Sequence, residues 1–235
     1  MKNEEIILSE REKILGRIRE ALKVSAPLPG SHSEVAAHAT TESPASHARE
    51  WLPSVGASGA EQFDLFAKNC ADLKADFQLL NNREELPAAL QKIAAAEKWS
   101  RIASHDGELS NFASQSLGLP VLLTDKGYDV QEMEKCDAGI SECDALIAQT
   151  GGVVVTNRSA GGRALSVLPP HHVVLARREQ LVADLPAAFA MLQQKYADNY
   201  PSMISFITGP SRTGDIERIL VLGAHGPKKL TILCF

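Results

Sequence analysis

"SMISFITGPSRTGDIERILVLGAHGPKKLTILCF", residues 202–235, carries three short β-rich runs, each bounded by glycine or proline. Runs of this length, dense in Ile, Val, Leu and Phe and punctuated by turn residues, read as strands. Upstream, a helix is expected around Leu185, Phe189 and Leu192, preceded by strand-like "HHVVLAR" (171–177) and "AGISECDALIAQTGGVVVTN" (138–157). Further back, "PVLLTD" (120–125), "RIASH" (101–105) and "FQLL" (77–80) read as strands. Helical spacing separates them in "ELSNFASQSLG" (108–118) and "EELPAALQKIAAAEK" (84–98), and Phe63, Phe66, Cys70 and Leu73 share one helical face. Alternation of this kind predicts an α/β fold with an open, mainly parallel sheet flanked by helices.

The whole chain is compatible with that class. It has 235 residues, 44% hydrophobic and 23% charged, with a net charge of −5. These values fit a soluble domain able to bury a core. No basic block offers a surface that could track phosphates, so no nucleic-acid partner is expected. The charged start, "MKNEEIILSEREKILGRIREALK", lacks the apolar core of a signal peptide, and no apolar run is long enough for a membrane span. The expectation is a cytoplasmic protein. Its cysteines, Cys70, Cys136, Cys143 and Cys234, form no C-x-x-C pair, so no metal or cluster site is expected in this chain.

The first 59 residues read differently from residues 60–235. Ser9 and Glu12 suggest a capping box for a helix over 9–23, with Ile14, Leu15, Ile18, Ala21 and Leu22 on one face. Residues 24–60 show no periodicity and read as a linker, its His32, His38 and His47 solvated. A helix on such a tether can reach a partner or a second copy of the chain, giving a homo-oligomer.

In an open parallel sheet, ligands lie beyond the carboxyl ends of the strands. Two such ends fall in the opening stretch, and they carry Ser211, Arg212, Thr213 and His225. Ser211 or Thr213 would cap a helical turn at "GDIER", leaving Arg212 for an anion. Thr150, Gly151 and Gly152 either approach a ligand or form a hairpin turn between buried strands. Together these seven residues are the expected ligand-binding set. Arg158 and Arg163 flank a loop with Gly161 and Gly162, an arrangement that suits a carboxylate or phosphate as well as a solvated turn. His171 and His172, adjacent on a strand, are expected to face core and solvent respectively or the reverse. No P-loop, dinucleotide fingerprint, nucleophile elbow or acid dyad can be picked out, so the residues alone assign no catalytic mechanism.

"CDAGISECDALIAQTGGVVV", "GRALSVLPPHHVVLA" and "SFITGPSRTGDIERILVLGAHGPKKLTILC" resemble, in that order, the motifs of the LUD-domain family. The likeness spans roughly residues 60–235. It implies a fold like that of sugar-phosphate isomerases, CoA transferases and 5-formyltetrahydrofolate cyclo-ligase. It also implies a role in oxidising L-lactate to pyruvate as a non-redox subunit, beside two iron–sulphur oxidoreductase-like partners that carry the clusters. The alternative is an enzyme acting on a nucleotide, folate or CoA ester in the strand-end cleft. Where the family usually reads Ala-Glu-Thr-Gly, this chain has Ala148, Gln149, Thr150 and Gly151, which removes one acid from that cleft.

Overall fold

The computed structural model describes residues 10–21, 23, 52–216, 219–223 and 225–235. The chain divides into two compact units, Met1–Arg49 and Glu50–Phe235. In the first, Glu10–Ala21 forms helix α1, on which Ile14 and Ile18 are exposed. Ser9, His32, His38 and His47 lie outside the described residues.

The second unit is built on a six-stranded, wholly parallel sheet. Its strands are β1 (Asp76–Leu79), β2 (Ile102–Ser104), β3 (Val121–Leu123), β4 (Ala138–Glu142), β7 (His171–Ala176) and β12 (Lys229–Cys234). They are ordered β1-β12-β7-β4-β2-β3. The parallel sheet flanked by helices is therefore as the alternation predicts. A second sheet joins it, made of β5 (Ala145–Ile147), β6 (Gly152–Thr156), β8 (Leu181–Val182) and β9 (Ile204–Ile207), in the order β8-β5-β6-β9. Within it, β6 runs antiparallel to both β5 and β9.

Local signals set the helices. Helix α2 (Gly59–Leu73) starts at a capping box in which Ser58 and Glu61 satisfy each other's backbone amides. Helix α3 (Leu86–Glu97) takes Pro87 in its first turn, where no amide is missed. Helix α4 (Glu108–Leu117) stops at Gly118, whose φ of 63° is the left-handed cap that glycine adopts without strain. Two more helices follow, α5 (Val130–Glu134) and α6 (Leu185–Tyr196), the latter capped by Asp184.

Packing follows from β7, which alternates across a sheet covered on both sides. Val173 and Leu175 join Leu86, Leu90 and Leu109 of α3 and α4 on one face. Val174 and Ala176 join Phe66 and Cys70 of α2, with Leu146 and Val153 of the second sheet, on the other. The far face of the second sheet packs Ile147 and Val154 against Ala188 and Leu192 of α6. Each fully buried Val or Leu here contributes roughly 1.5–3 kcal/mol.

Three expectations need correction. First, "SFIT" and "RILVL" do not enter the parallel sheet. The former is β9 of the second sheet, and the latter forms β11 (Ile219–Leu222), paired antiparallel with β10 (Arg212–Ile216). A short apolar run shows that it is a strand, not which sheet recruits it. Second, "GDIER" is no helical turn, because Gly214, Asp215 and Ile216 belong to β10. Third, His171 and His172 are both buried, at 4% and 0% exposure. They do point to opposite faces, but neither face of a central parallel strand is solvated. His171 Nε2 bonds Thr231 Oγ1 at 2.8 Å, and His172 Nε2 bonds Ser141 Oγ at 2.9 Å.

Burial pushes His172 down to about 3 and also lowers His171 and His105. A histidine depressed in the folded state contributes stability fully present above its unfolded value and lost as pH falls towards the folded one. Urea midpoints are therefore expected to drop between pH 7.5 and pH 5.5, above the carboxylate range. A flat profile across that window would contradict the buried, neutral histidines.

Candidate functional site

The carboxyl edge of the parallel sheet is where β4 and β7 end and where β6 delivers its last residues. Strand β4 ends in Glu142, followed by Cys143 and Asp144, before the chain enters the second sheet at Ala145. Strand β7 is followed by Arg177, β6 by Arg158 and Ser159, and helix α6 ends in Lys195 and Tyr196. All of these except Asp144, together with Gln180, line a cavity of about 370 Å³.

Asp144 lies beneath that cavity with its side chain wholly buried. Its Oδ1 accepts from Lys195 Nζ and from Tyr196 Oη, and its Oδ2 accepts from Ser159 Oγ, all at 2.6 Å. Burial opposes its ionisation, but the hydrogen bonds from Lys195, Ser159 and Tyr196 outweigh it, so the carboxyl is held below its usual value. Burial likewise opposes the charge on Lys195, and Asp144 reverses the sign, keeping the ammonium charged. Tyr196, raised by burial and by Asp144, stays a phenol.

Beside it, Glu142 fills a position where doubly wound folds often hold a ligand anion. Its Oε1 accepts from the amides of Leu109 and Ser110 in the first turn of α4. Gly107 is required there, since a Cβ would collide with that same oxygen. His105 completes the edge: Nε2 accepts from the Glu142 amide at 3.2 Å and meets Ser110 Oγ at 2.9 Å. On the rim, Glu108 pairs with Arg177 and Arg83. Gln180 donates to the Cys143 carbonyl and accepts from the Arg177 amide.

Arg158 is different. Its guanidinium lies 5.4 Å from the centre of the Tyr196 ring, the same distance as Lys195 Nζ. Among the described residues it has no carboxylate partner and no side-chain hydrogen bond. The other loop arginine, Arg163, precedes the short turn Ala164–Ser166 without a capping side-chain bond and does not line the cavity. Gly161 serves packing, its carbonyl accepting from Thr124 Oγ1 and its α-carbon pressed against His105.

Thr150, Gly151 and Gly152 form the turn between β5 and β6, at the opposite end of β6 from Arg158. Here the hairpin reading holds: the amides of Thr150 and Gly151 bond the Ile147 carbonyl, and Gly151 has φ 64°. A Cβ at Gly151 would sit 2.9 Å from Asn69 Cβ, so the glycine lets α2 approach. The next turn lies alongside, with Gly152 close to Thr208 and Gly209 close to the Leu73 carbonyl. Ser211 is tied to the loop bearing His225, since its amide bonds the Pro227 carbonyl and its carbonyl accepts from Gly223. Arg212 and His225 are exposed, and the Thr213 side chain lies outside the description. None of these seven residues lines the cavity at the carboxyl edge. Gln149 donates to the Pro53 carbonyl at 3.0 Å, a bond that a carboxylate could not make.

Cysteines and metals complete the inventory. All four cysteines are buried and free, and burial raises Cys70 and Cys234 to about 12. Among the described residues no group of three or more His, Cys, Asp or Glu could hold a metal ion, and no helix is long and apolar enough to cross a membrane.

An open parallel sheet with a polar crevice at its carboxyl edge defines the architectural class. The LUD domain matches residues 63–234, and the chain belongs to that family. It is 30% identical over 190 residues to "Lactate utilization protein C" of Oceanobacillus iheyensis, covering 76% of this chain and 81% of that one. To the protein of the same name from Anoxybacillus flavithermus it is 31% identical over 194 residues, covering 80% and 86%. The crystal structure of a DUF162 family protein from Deinococcus radiodurans superposes with a TM-score of 0.62 at 23% identity. That match covers 76% of this chain and 99% of the other, and it shows the shared fold.

Replacing Asp144 with Ala removes an acceptor of three hydrogen bonds and leaves Tyr196 and Ser159 with only their weaker contacts to Thr156. Bonds to a charged group contribute about 1.5–3 kcal/mol each before relaxation. Lys195 is half exposed and can turn to water. A net loss of about 2–4 kcal/mol is expected, read as a lower urea midpoint at neutral pH. A midpoint within experimental error of the parent would show that the network contributes nothing.

Proposed function

We propose that this chain is a non-redox subunit or accessory protein of a system that oxidises L-lactate to pyruvate. One observation carries the reading: relatives named lactate utilization protein C align with about four-fifths of the chain at 30–31% identity. The cysteines support the non-redox part. Cluster ligation takes converging cysteines, and among the described residues no group of three or more His, Cys, Asp or Glu comes together. Electron transfer then falls to two iron–sulphur oxidoreductase-like partners in the cytoplasm, with the amino-terminal arm as a contact element between chains.

The test is genetic and biochemical. Deleting the gene is expected to abolish growth on L-lactate as sole carbon source while sparing growth on pyruvate. The purified chain is expected not to reduce an artificial acceptor with L-lactate until the partner proteins are added. Unimpaired growth of the deletion strain on L-lactate would defeat the assignment. Lactate-dependent reduction by the chain alone would defeat its non-redox part.

A further inference from the structure

We infer that the cavity at the carboxyl ends of β4 and β7 is a binding site for a small monocarboxylate, with Arg158 as the group that receives it.

Lys195 is paired with Asp144, and Arg177 shares Glu108 with Arg83. The carboxylate of Glu142 is answered by two amides at the positive end of α4. Arg158 alone among these groups has no ion-pair partner within the described residues, and a second cation, Lys195, lies at the same distance from the Tyr196 ring. Two cations beside one tyrosine repel each other, and an anion bound between them relieves that repulsion.

Geometry sets the ligand class. Among the described residues the Arg158 guanidinium N–H groups have no partner, and they form a fork that matches two carboxylate oxygens. Lys195 donates once, to Asp144, and keeps further N–H groups to offer. Tyr196 Oη and Ser159 Oγ are already committed to Asp144 and serve as walls rather than ligands. Counting Arg83 at the rim, four cations meet three carboxylates (Glu108, Glu142 and Asp144), and the one surplus positive charge balances a monoanion. A nucleotide or CoA ester brings several negative charges that this lining cannot answer. The volume, about 370 Å³, lies at the small end of ligand sites, which fits a compact organic acid.

The inference stands on these residues and not on the lactate assignment, so the two can fail separately. Backbone amide resonances of the full chain would be followed while acetate, L-lactate or pyruvate is added at constant ionic strength. Inorganic phosphate and chloride serve as comparison anions. The expected result is saturable shifts at Ser159 and Gln180 with the carboxylates. Arg158→Gln should weaken that binding at least tenfold while leaving the thermal midpoint unchanged, because the Arg158 side chain is exposed. No saturable shift with any carboxylate, or equal binding by Arg158→Gln, would overturn the site. Tighter binding of phosphate than of every carboxylate would overturn the ligand class.

Discussion

The second unit of this protein depends on a charge placed where charges are costly. Asp144 follows β4, the strand that ends at the carboxyl edge, and precedes β5, which opens the second sheet. Its side chain is fully buried and is answered by Lys195, Tyr196 and Ser159. Without those donors, burying a carboxylate would cost several kcal/mol, enough to offset much of a domain's net stability. With them, one carboxylate joins the sheet junction, the end of α6 and the turn after β6. Its backbone amide adds a bond to the Val154 carbonyl, which extends the β5–β6 pairing at the same point.

That junction shapes the crevice. Because α6 is held by its last turn, Lys195 and Tyr196 stand at the rim, and Tyr196 gives Arg158 a surface to lie on. The position nearest the α4 amino end is meanwhile filled from within by Glu142. Ligand chemistry at this edge is thereby shifted from the helix terminus to the guanidinium beside it. Even Gly107 belongs to this arrangement, as the residue that makes room for the Glu142 carboxylate.

The parallel sheet was legible because each strand is a β-rich run separated from the next by helical periodicity. Its flanking helices were legible from caps such as Pro87 and Gly118. The second sheet was not, since β9 and β11 look in sequence like β12, and only long-range pairing decides which sheet a short strand joins. The pair His171 and His172 was misread for a related reason: alternation along a strand reports two faces, but not whether either reaches water. Among site residues, Arg158 could be named from its place beside a glycine loop. The glycines themselves turned out to admit protein backbone, Gly151 against α2 and Gly161 against His105. Asp144 did leave a signal, an acid inside the apolar run 138–156. Its partners Lys195 and Tyr196 lie some fifty residues on, at the end of an ordinary amphipathic helix. No local pattern links them.

The account rests on Asp144 and Lys195 being a coupled pair that organises this edge. A double-mutant cycle in urea unfolding, with Asp144→Asn and Lys195→Met made singly and together, measures that coupling directly. A coupling energy of about 1.5–3 kcal/mol is predicted at neutral pH, shrinking at acid pH as the pH falls towards the lowered value at which Asp144 takes up its proton. Additive single and double variants, with coupling near zero at every pH, would contradict it.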